Sequence, residues 1–234
     1  MMEDRSMEYQ DIPYEISAIL CGDDALIVVD LQYDFMPGGA LPVEDGDVTI
    51  SGINTLMQLF HQSGATVVLT QDWHPAGHHS FASSHEGKNP YDLYDAPGLG
   101  PVLWPDHCVQ GTHGADFHRA VNTRLAHATI RKGYHMDIDS YSGFLENDKQ
   151  TRTGLDGYLK DRNVRRIYVC GLALDYCVFF SAVDALDNGY EVYVVPDLTK
   201  AVASPEDSVS RALETLFSSG AKFIEAGAIH TESA

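Results

Sequence analysis

Six short runs of apolar, often β-branched residues recur along the chain, at positions 25–29, 65–70, 128–131, 166–170, 191–195 and 222–225. Their apolarity is nearly continuous rather than alternating, which predicts parallel strands covered on both faces. Between several of these runs the apolar positions return every three or four residues, predicting helices over 48–62, 154–162, 176–188 and 205–218. Gly64, Gly189 and Gly220 stand where the first, third and fourth of these should stop. Ser204-Pro205-Glu206-Asp207 reads as a helix start, with serine as the cap and proline at the first helical position. Strands alternating with helices imply right-handed crossovers and a mainly parallel sheet of about six strands in a three-layer α/β/α sandwich. One domain over 23–234 is expected, preceded by a mobile extension over 1–22. The stretch 72–114 breaks the rhythm. It is rich in Gly, Pro, His and Asp, and it carries both tryptophans, Trp73 and Trp104. Loops this long inside a domain are usually functional or disordered, and the aromatic and imidazole content argues for function.

Composition narrows the classes. A chain of 234 residues with 44% hydrophobic content is long enough for one full core and short for two domains. The formal charge of −19 argues against a nucleic-acid surface and against a polybasic membrane contact. No apolar run approaches a membrane span. Four cysteines (Cys21, Cys108, Cys170, Cys177) form neither a CxxC pair nor a dense framework, which fits a reducing compartment. The polar, acidic first residues fit neither a signal nor a transit peptide, and the last four carry no familiar address. A cytoplasmic protein is expected.

Chemistry enters at Cys177. It follows the run 166–170 by a segment too short for anything but a strand-to-helix turn, so its thiol is expected over the carboxyl end of the sheet, where open α/β folds place ligands. Helix amides there favour a thiolate, although a free cysteine is more often inert core. The other strand ends supply Asp30, Asp72 and the pair Arg131-Lys132. In a parallel sheet all of them emerge on one edge, where Asp30 can take a thiol proton and Lys132 can steady a developing anion. A strand-end carboxylate capping a loop and a surface lysine are the plainer readings of the same two residues. A second constellation lies in the long loop. Asp72 and His74 are two apart, so an extended segment presents both on one side, and His107 can return from the far end to join them. A carboxylate with imidazoles suits zinc, iron or manganese, and three protein ligands leave open positions of a catalytic kind. Histidines bonding along an exposed loop are the alternative.

Several blocks together resemble one family. They are Val29-Asp-Leu-Gln-Tyr-Asp-Phe35, Asp72-Trp-His-Pro75, His78-His-Ser-Phe81, Trp104-Pro-Asp-His-Cys-Val-Gln-Gly-Thr112, Lys132-Gly133, Asp139-Ser-Tyr-Ser-Gly-Phe144 and Gly171-Leu-Ala-Leu-Asp-Tyr-Cys-Val178. In this order the chain is similar to the nicotinamidase/pyrazinamidase branch of the isochorismatase-like cysteine hydrolases, over about residues 25–195. The resemblance implies Asp30, Lys132 and Cys177 as the catalytic triad. It implies Asp72, His74 and His107 as ligands of one divalent ion, zinc first and iron or manganese as alternatives, with His78 rather than His79 as an additional candidate. It further implies a cis Leu172–Ala173 peptide, an oxyanion hole from the amides of Ala173 and Cys177, and Phe35, Trp104 and Tyr141 around a flat substrate.

The implied reaction is deamidation of nicotinamide to nicotinate and ammonia through a cysteine thioester, feeding NAD salvage, with pyrazinamide as a side substrate. No nucleic-acid or membrane partner is implied, and a homo-oligomer is allowed. Two other readings stay open. One is a different hydrolase of the superfamily, isochorismatase or another amidase. The second is a catalytically silent metabolite-binding domain, although such domains usually lose the nucleophile or the lysine. Gln32 and Asp34 are expected to fix the first loop by hydrogen bonds rather than to act on substrate. The acidic extension and the long span between His78 and Trp104 depart from the simplest members of the family.

Overall fold

β2 (Asp24–Val29) shows why the hydrophobic runs are continuous: all six of its residues are buried, so both faces are covered. The computed structural model describes residues 7–232. In it β2 is flanked on one side by β3 (Thr66–Asp72) and then β4 (Ala128–Lys132), and on the other by β5 (Arg166–Leu172), β6 (Glu191–Lys200) and β7 (Lys222–Phe223). All five neighbouring pairs are parallel, as the runs predicted. Asp24, the polar first residue of β2, is buried against Arg166 at the start of β5, with guanidinium contacts of 2.7 and 2.6 Å. That two-point pairing joins residues that are also register partners.

α1 (Ile50–Gln62) packs on β2, β3 and β6, and α3 (Phe179–Asp187) packs on β5 and β6. α2 (Leu155–Asp161) precedes β5, and α4 (Ser208–Ser218) leads into β7. The strand order 4-3-2-5-6-7 places the switch in winding direction between β2 and β5. Connections leaving the carboxyl ends of those two strands diverge there and open the crevice in which α/β folds bind ligands.

The structure departs from the sequence expectation in four places. The first is the amino-terminal segment, of which residues 1–6 lie outside the described residues. Beyond them the segment is anchored to the domain at a few points: Ile12, Ala18 and Leu20 are buried, and β1 (Ala18–Ile19) pairs in parallel with β8 (Ile229–His230). The second is β6, which runs on past Pro196 to Lys200. Its register against β5 shifts between Val169 and Gly171, and a proline without an amide hydrogen is tolerated at such an irregularity. The third is α4, which starts at Ser208 and leaves Pro205 outside the helix. The Asp175 carboxylate takes the amides of Val202 and Ala203 and the hydroxyl of Ser208, so the chain wraps around this acid before the helix begins. The fourth is the turn into α3, where residues Leu174–Val178 form a π-helical turn carrying Cys177. No helix of the described residues is long and apolar enough to cross a membrane.

Candidate active site

Four adjacent strands, β4, β3, β2 and β5, end in or lead directly to Lys132, Asp72, Asp30 and Cys177. Lys132 and Asp72 are register partners on the last rung of their ladder. Asp30 follows β2 with a positive φ of 49°, a conformation that aspartate tolerates better than most residues. The close approach behind it depends on Gly171, whose φ is 108°; a Cβ there would collide with the backbone of Val29.

The lysine is the hub. Fully buried, its ammonium lies 2.8 Å from Asp30 Oδ2, 2.5 Å from Asp72 Oδ1, 2.9 Å from the Ser140 carbonyl and 3.4 Å from Cys177 Sγ. Burial alone would drive Lys132 towards neutrality, but Asp30 and Asp72 offset it and hold the ammonium well above its ordinary pKa. Burial likewise raises Asp30, opposed by Lys132 and reinforced by Asp72, which makes Asp30 a stronger base than a free carboxylate. Asp72 goes the other way. Burial pushes it up, yet Lys132 and His74 outweigh that and keep it well below the usual range. Burial also raises the Cys177 thiol well above its ordinary value, because Lys132 only partly opposes the loss of water and Asp30 and Asp72 add to it. Burial thus works against the thiolate that helix amides alone would favour at Cys177.

Gln32 and Thr70 fix the two acids. The Gln32 amide accepts the Asp72 N–H at 2.8 Å and donates to the Asp72 carbonyl at 2.7 Å, holding that residue as a paired strand would. The Thr70 hydroxyl donates to Asp30 Oδ1 at 2.6 Å. Asp34 accepts the Cys108 amide at 2.7 Å and so anchors the loop carrying His107. Gln32 and Asp34 behave as expected from the sequence. Thr70 was not singled out there, although its place two residues before Asp72 puts it on the same strand end.

Asp72 turns its second oxygen to the imidazoles. Oδ2 lies 3.6 Å from His74 Nε2 and 3.7 Å from His107 Nε2, and the three ligand atoms lie within 4.8 Å of one another. His74 Nδ1 donates to the Gly133 carbonyl at 2.8 Å, and His107 Nδ1 donates to the Pro105 carbonyl at 2.8 Å. A carbonyl only accepts, so each Nδ1 carries a proton, and Nε2 is the nitrogen that each ring turns towards Asp72 and would offer to a cation. His74 Nε2 is buried with no hydrogen-bond partner. These residues fit a divalent cation. Gly133 is required here, since a Cβ would meet the His74 ring at 2.5 Å. His78 is differently engaged. It lies beside His74, with ring centroids 4.5 Å apart, but Nδ1 accepts the Ser80 amide at 3.1 Å and Nε2 donates to the carbonyls of His135 and Ile138 at 2.7 and 3.2 Å.

Above this floor the pocket is apolar. Phe35, Leu41, Trp104, Tyr141, Ala173, Tyr176 and Val202 line it together with Asp72, His107, Asp139 and Cys177. Trp104 Nε1 donates to the Tyr141 hydroxyl at 3.0 Å, and that hydroxyl donates to the Gly100 carbonyl at 2.9 Å, so the aromatic wall is braced against the long loop. The expected Phe35, Trp104 and Tyr141 are thus brought together with Cys177. Tyr176 joins them unannounced, edge-on to Trp104 at 4.9 Å. Leu172–Ala173 is cis, and Ala173 stands in the pocket lining beside Cys177.

One neighbouring acid was also missed. Glu146 has its side chain fully buried and both carboxylate oxygens without hydrogen-bond partners. Burial and the nearby Asp148 push its pKa up from 4.5 to about 7. Between those pH values the folded chain holds a proton that the unfolded chain has lost, so stability falls as pH rises through the window and the full deficit remains above it. Glu146→Gln is expected to recover up to about 3 kcal/mol at pH 8 and little at pH 4. Denaturant melts of the metal-free protein at both pH values check this; an equal effect at the two would contradict it.

The isochorismatase domain family matches residues 24–228. Curated relatives include a nicotinamidase of Acinetobacter baylyi, 47% identical over 86% of this chain and 91% of its own length. Another is a nicotinamidase of Escherichia coli, 44% identical over 81% of this chain and 89% of its own. Among solved structures, an Acinetobacter baumannii nicotinamidase/pyrazinamidase superposes with a TM-score of 0.84 at 45% identity, covering 88% of this chain and 97% of that one. PnC1 from L. infantum in complex with nicotinate gives 0.80 at 37% identity, covering 92% and 100%. A Pyrococcus horikoshii pyrazinamidase in complex with zinc gives 0.71 at 41% identity, covering 87% and 99%.

Proposed function

The chain belongs to the isochorismatase family, and from that premise and the geometry of its site we propose that it hydrolyses nicotinamide to nicotinate and ammonia. One observation carries the reading: a buried thiol and a basic carboxylate share one ammonium beneath an aromatic pocket whose floor is a carboxylate–imidazole tripod. The flat ring stacks among Phe35, Trp104, Tyr141 and Tyr176, where aromatic faces fit a planar substrate and few polar contacts are needed.

Cys177 Sγ attacks the carboxamide carbon as Asp30 takes the thiol proton, and Lys132 balances the charge that passes from carboxylate to sulfur. The tetrahedral oxyanion rests on the amides of Ala173 and Cys177, each donor contributing about 3–4 kcal/mol. Asp30 returns its proton to the leaving ammonia. It then takes one from the water that opens the thioester and passes it to the departing sulfur, which regenerates the thiol; the product acid gives its own proton to solvent and leaves as nicotinate. Asp72, His74 and His107 would hold a divalent ion, zinc in our reading with iron or manganese as alternatives, and that ion would supply Lewis acidity to the bound ring. Pyrazinamide offers a ring nitrogen in the same place and is a second substrate. We place the reaction in the cytoplasm, returning nicotinamide towards NAD. A homo-oligomer belongs to the same reading: Leu93, 81% exposed, and the half-buried Phe179 and Phe180 line a groove that assembly would cover.

Another superfamily hydrolase is disfavoured by the tripod, since vinyl ether cleavage has no need of an ion at that place. A silent binding domain is disfavoured by the intact triad. The test is ammonia release from nicotinamide by the purified protein. Chelation should lower the rate at least about tenfold and one re-supplied ion should restore it, a loss of about 1.4 kcal/mol or more in transition-state stabilisation. No release from folded protein with zinc, iron or manganese would sink the reading.

A further inference from the structure

One wall of the pocket is not built like the others. Phe35 lies in the turn that follows β2, Ala173 follows the end of β5, and Trp104 and Tyr141 are braced against Gly100. Val202 instead stands on a segment, 201–205, that has left β6 and not yet entered α4. Its backbone is fastened by side chains of the turn that carries Cys177. Asp175 accepts the Val202 amide on Oδ1 at 2.9 Å and the Ala203 amide on Oδ2 at 2.9 Å, and Ser208 donates to the same Oδ2 at 2.6 Å. Beside it the Tyr176 hydroxyl donates to the Ser204 carbonyl at 2.6 Å. Two neighbouring side chains of one turn therefore hold three consecutive residues. Bonds to a carboxylate are stronger than neutral ones, so the acid is the stronger latch. Ala203 depends on it, since its φ of 55° is a conformation that alanine keeps only where the surroundings enforce it.

The pocket beneath this strap is tight. It offers about 30 Å³ to the centre of a water-sized sphere, room for about two waters and less than a pyridine ring needs. On the far side of Tyr176 lies a groove of about 410 Å³, lined by Pro205 and Ser208 among others. Tyr176 lines both spaces, so with the strap it forms the partition between them. A flat substrate must displace a wall to enter. The strap belongs to neither sheet nor helix, Ala203 and Pro205 on it are exposed, and its ties are the two latches just described, so it is the wall that yields.

We propose that Asp175 is a positioning residue: it latches residues 202–204 over the substrate ring, so that one strap both admits the substrate and limits what the ring can carry. The inference rests on the nicotinamide reading above for its substrate, while the latch itself can be read without turnover. In Asp175→Asn one oxygen still meets the Val202 amide, but an NH₂ group faces the Ala203 amide, and the strap is released at its middle residue. KM for nicotinamide should rise at least about fivefold with kcat within about threefold, the mark of lost binding rather than lost chemistry. A methyl group pressed against a closed apolar wall costs about 10–200-fold in kcat/KM, so 5-methyl- and 6-methylnicotinamide report the fit. Asp175→Asn and Val202→Ala should each narrow the discrimination against them at least about threefold, and the double variant should add little, because both changes act through one wall.

Labelling of Cys177 by iodoacetamide, followed on its own peptide by mass spectrometry, reads the opening directly. In the full-length protein it should quicken at least about threefold in Asp175→Asn, with the pH midpoint of labelling unmoved. Unchanged KM, discrimination and labelling overturn the proposal even where the melting temperature falls, for then Asp175 only stabilises the fold. A fall in kcat with KM unchanged and the labelling midpoint shifted overturns it too, for then Asp175 acts on the thiol. No ammonia release by the unaltered chain removes the nicotinamidase reading, and labelling alone then judges the strap: acceleration supports it and an unchanged rate overturns it. If circular dichroism shows that Asp175→Asn does not fold, Tyr176→Phe decides. It keeps the ring and drops the hydroxyl that holds Ser204. Faster labelling with narrower discrimination supports the strap, and no change in either overturns it.

Discussion

Cys177→Ala is expected to abolish ammonia release from nicotinamide, with a fall in kcat of at least about 10⁴-fold, while zinc affinity stays within about twofold. The split follows from the geometry. Cys177 Sγ touches the lysine hub at 3.4 Å but is not one of the three tripod residues. Loss of the nucleophile removes the covalent path altogether, and what survives is only the background supplied by substrate positioning and charge stabilisation. The residual sulfur chemistry can be sought directly: acid quench of the unaltered enzyme during turnover should show a nicotinoyl adduct on Cys177 by mass spectrometry. Turnover of the alanine variant within tenfold of the unaltered enzyme would exclude a thioester mechanism. A proportionate loss of zinc affinity would show that the substitution had collapsed the floor instead.

Lys132→Met should bring the largest loss of stability, about 3–5 kcal/mol at pH 8 in metal-free protein, along with loss of turnover. Methionine fills much of the lysine volume, so the expected loss is electrostatic. Asp30 and Asp72, both buried, keep their charges without the ammonium that lies 2.8 and 2.5 Å away. Each acid then takes a proton more readily, so the deficit relative to the unaltered chain should shrink as pH falls from 8 to 5. Saturating zinc should shrink it too, because a cation at the tripod restores a partner to Asp72. Chemical denaturation across that pH range measures the effect. A deficit below about 1 kcal/mol at pH 8, or one independent of pH, would mean that the lysine is not what keeps these carboxylates charged.

Much of the fold was legible because parallel strands covered on both faces print themselves as continuous β-branched runs, and all six predicted strands are present. The clustering of Asp30, Lys132 and Cys177 was legible for a related reason. Strand ends are easy to place, and a parallel sheet brings Asp30, Lys132 and Cys177 to one edge whatever lies between them. The tripod could be read from Asp72 and His74 in alternation, with His107 closing a long loop. The pocket walls could not be read from the residues alone; Phe35, Trp104 and Tyr141 came from family resemblance, and Tyr176 was not foreseen. What escaped was mostly polar side chains whose partners arrive from elsewhere in the chain. Asp175 captures residues 202 and 203 and so moves the start of α4, which Ser204-Pro205 had seemed to fix. Asp139 and Glu146 lie in an irregular segment with no period, where burial of an acid leaves no mark on the sequence. The packing of residues 12–20 was hidden likewise, since its partner strand β8 lies two hundred residues away.

The divided use of Asp72, one oxygen for the lysine and one for the imidazoles, has an evolutionary reading. Under the proposed reaction, any change at this position would act at once on the ammonium beside Asp30 and on the imidazoles that would hold the ion, so no single substitution would relax one without disturbing the other. Drift in metal preference within such a lineage must then run through His74, His107 and the acids beside them. Asp72 itself is expected to be the least variable of the set, held in place from two sides.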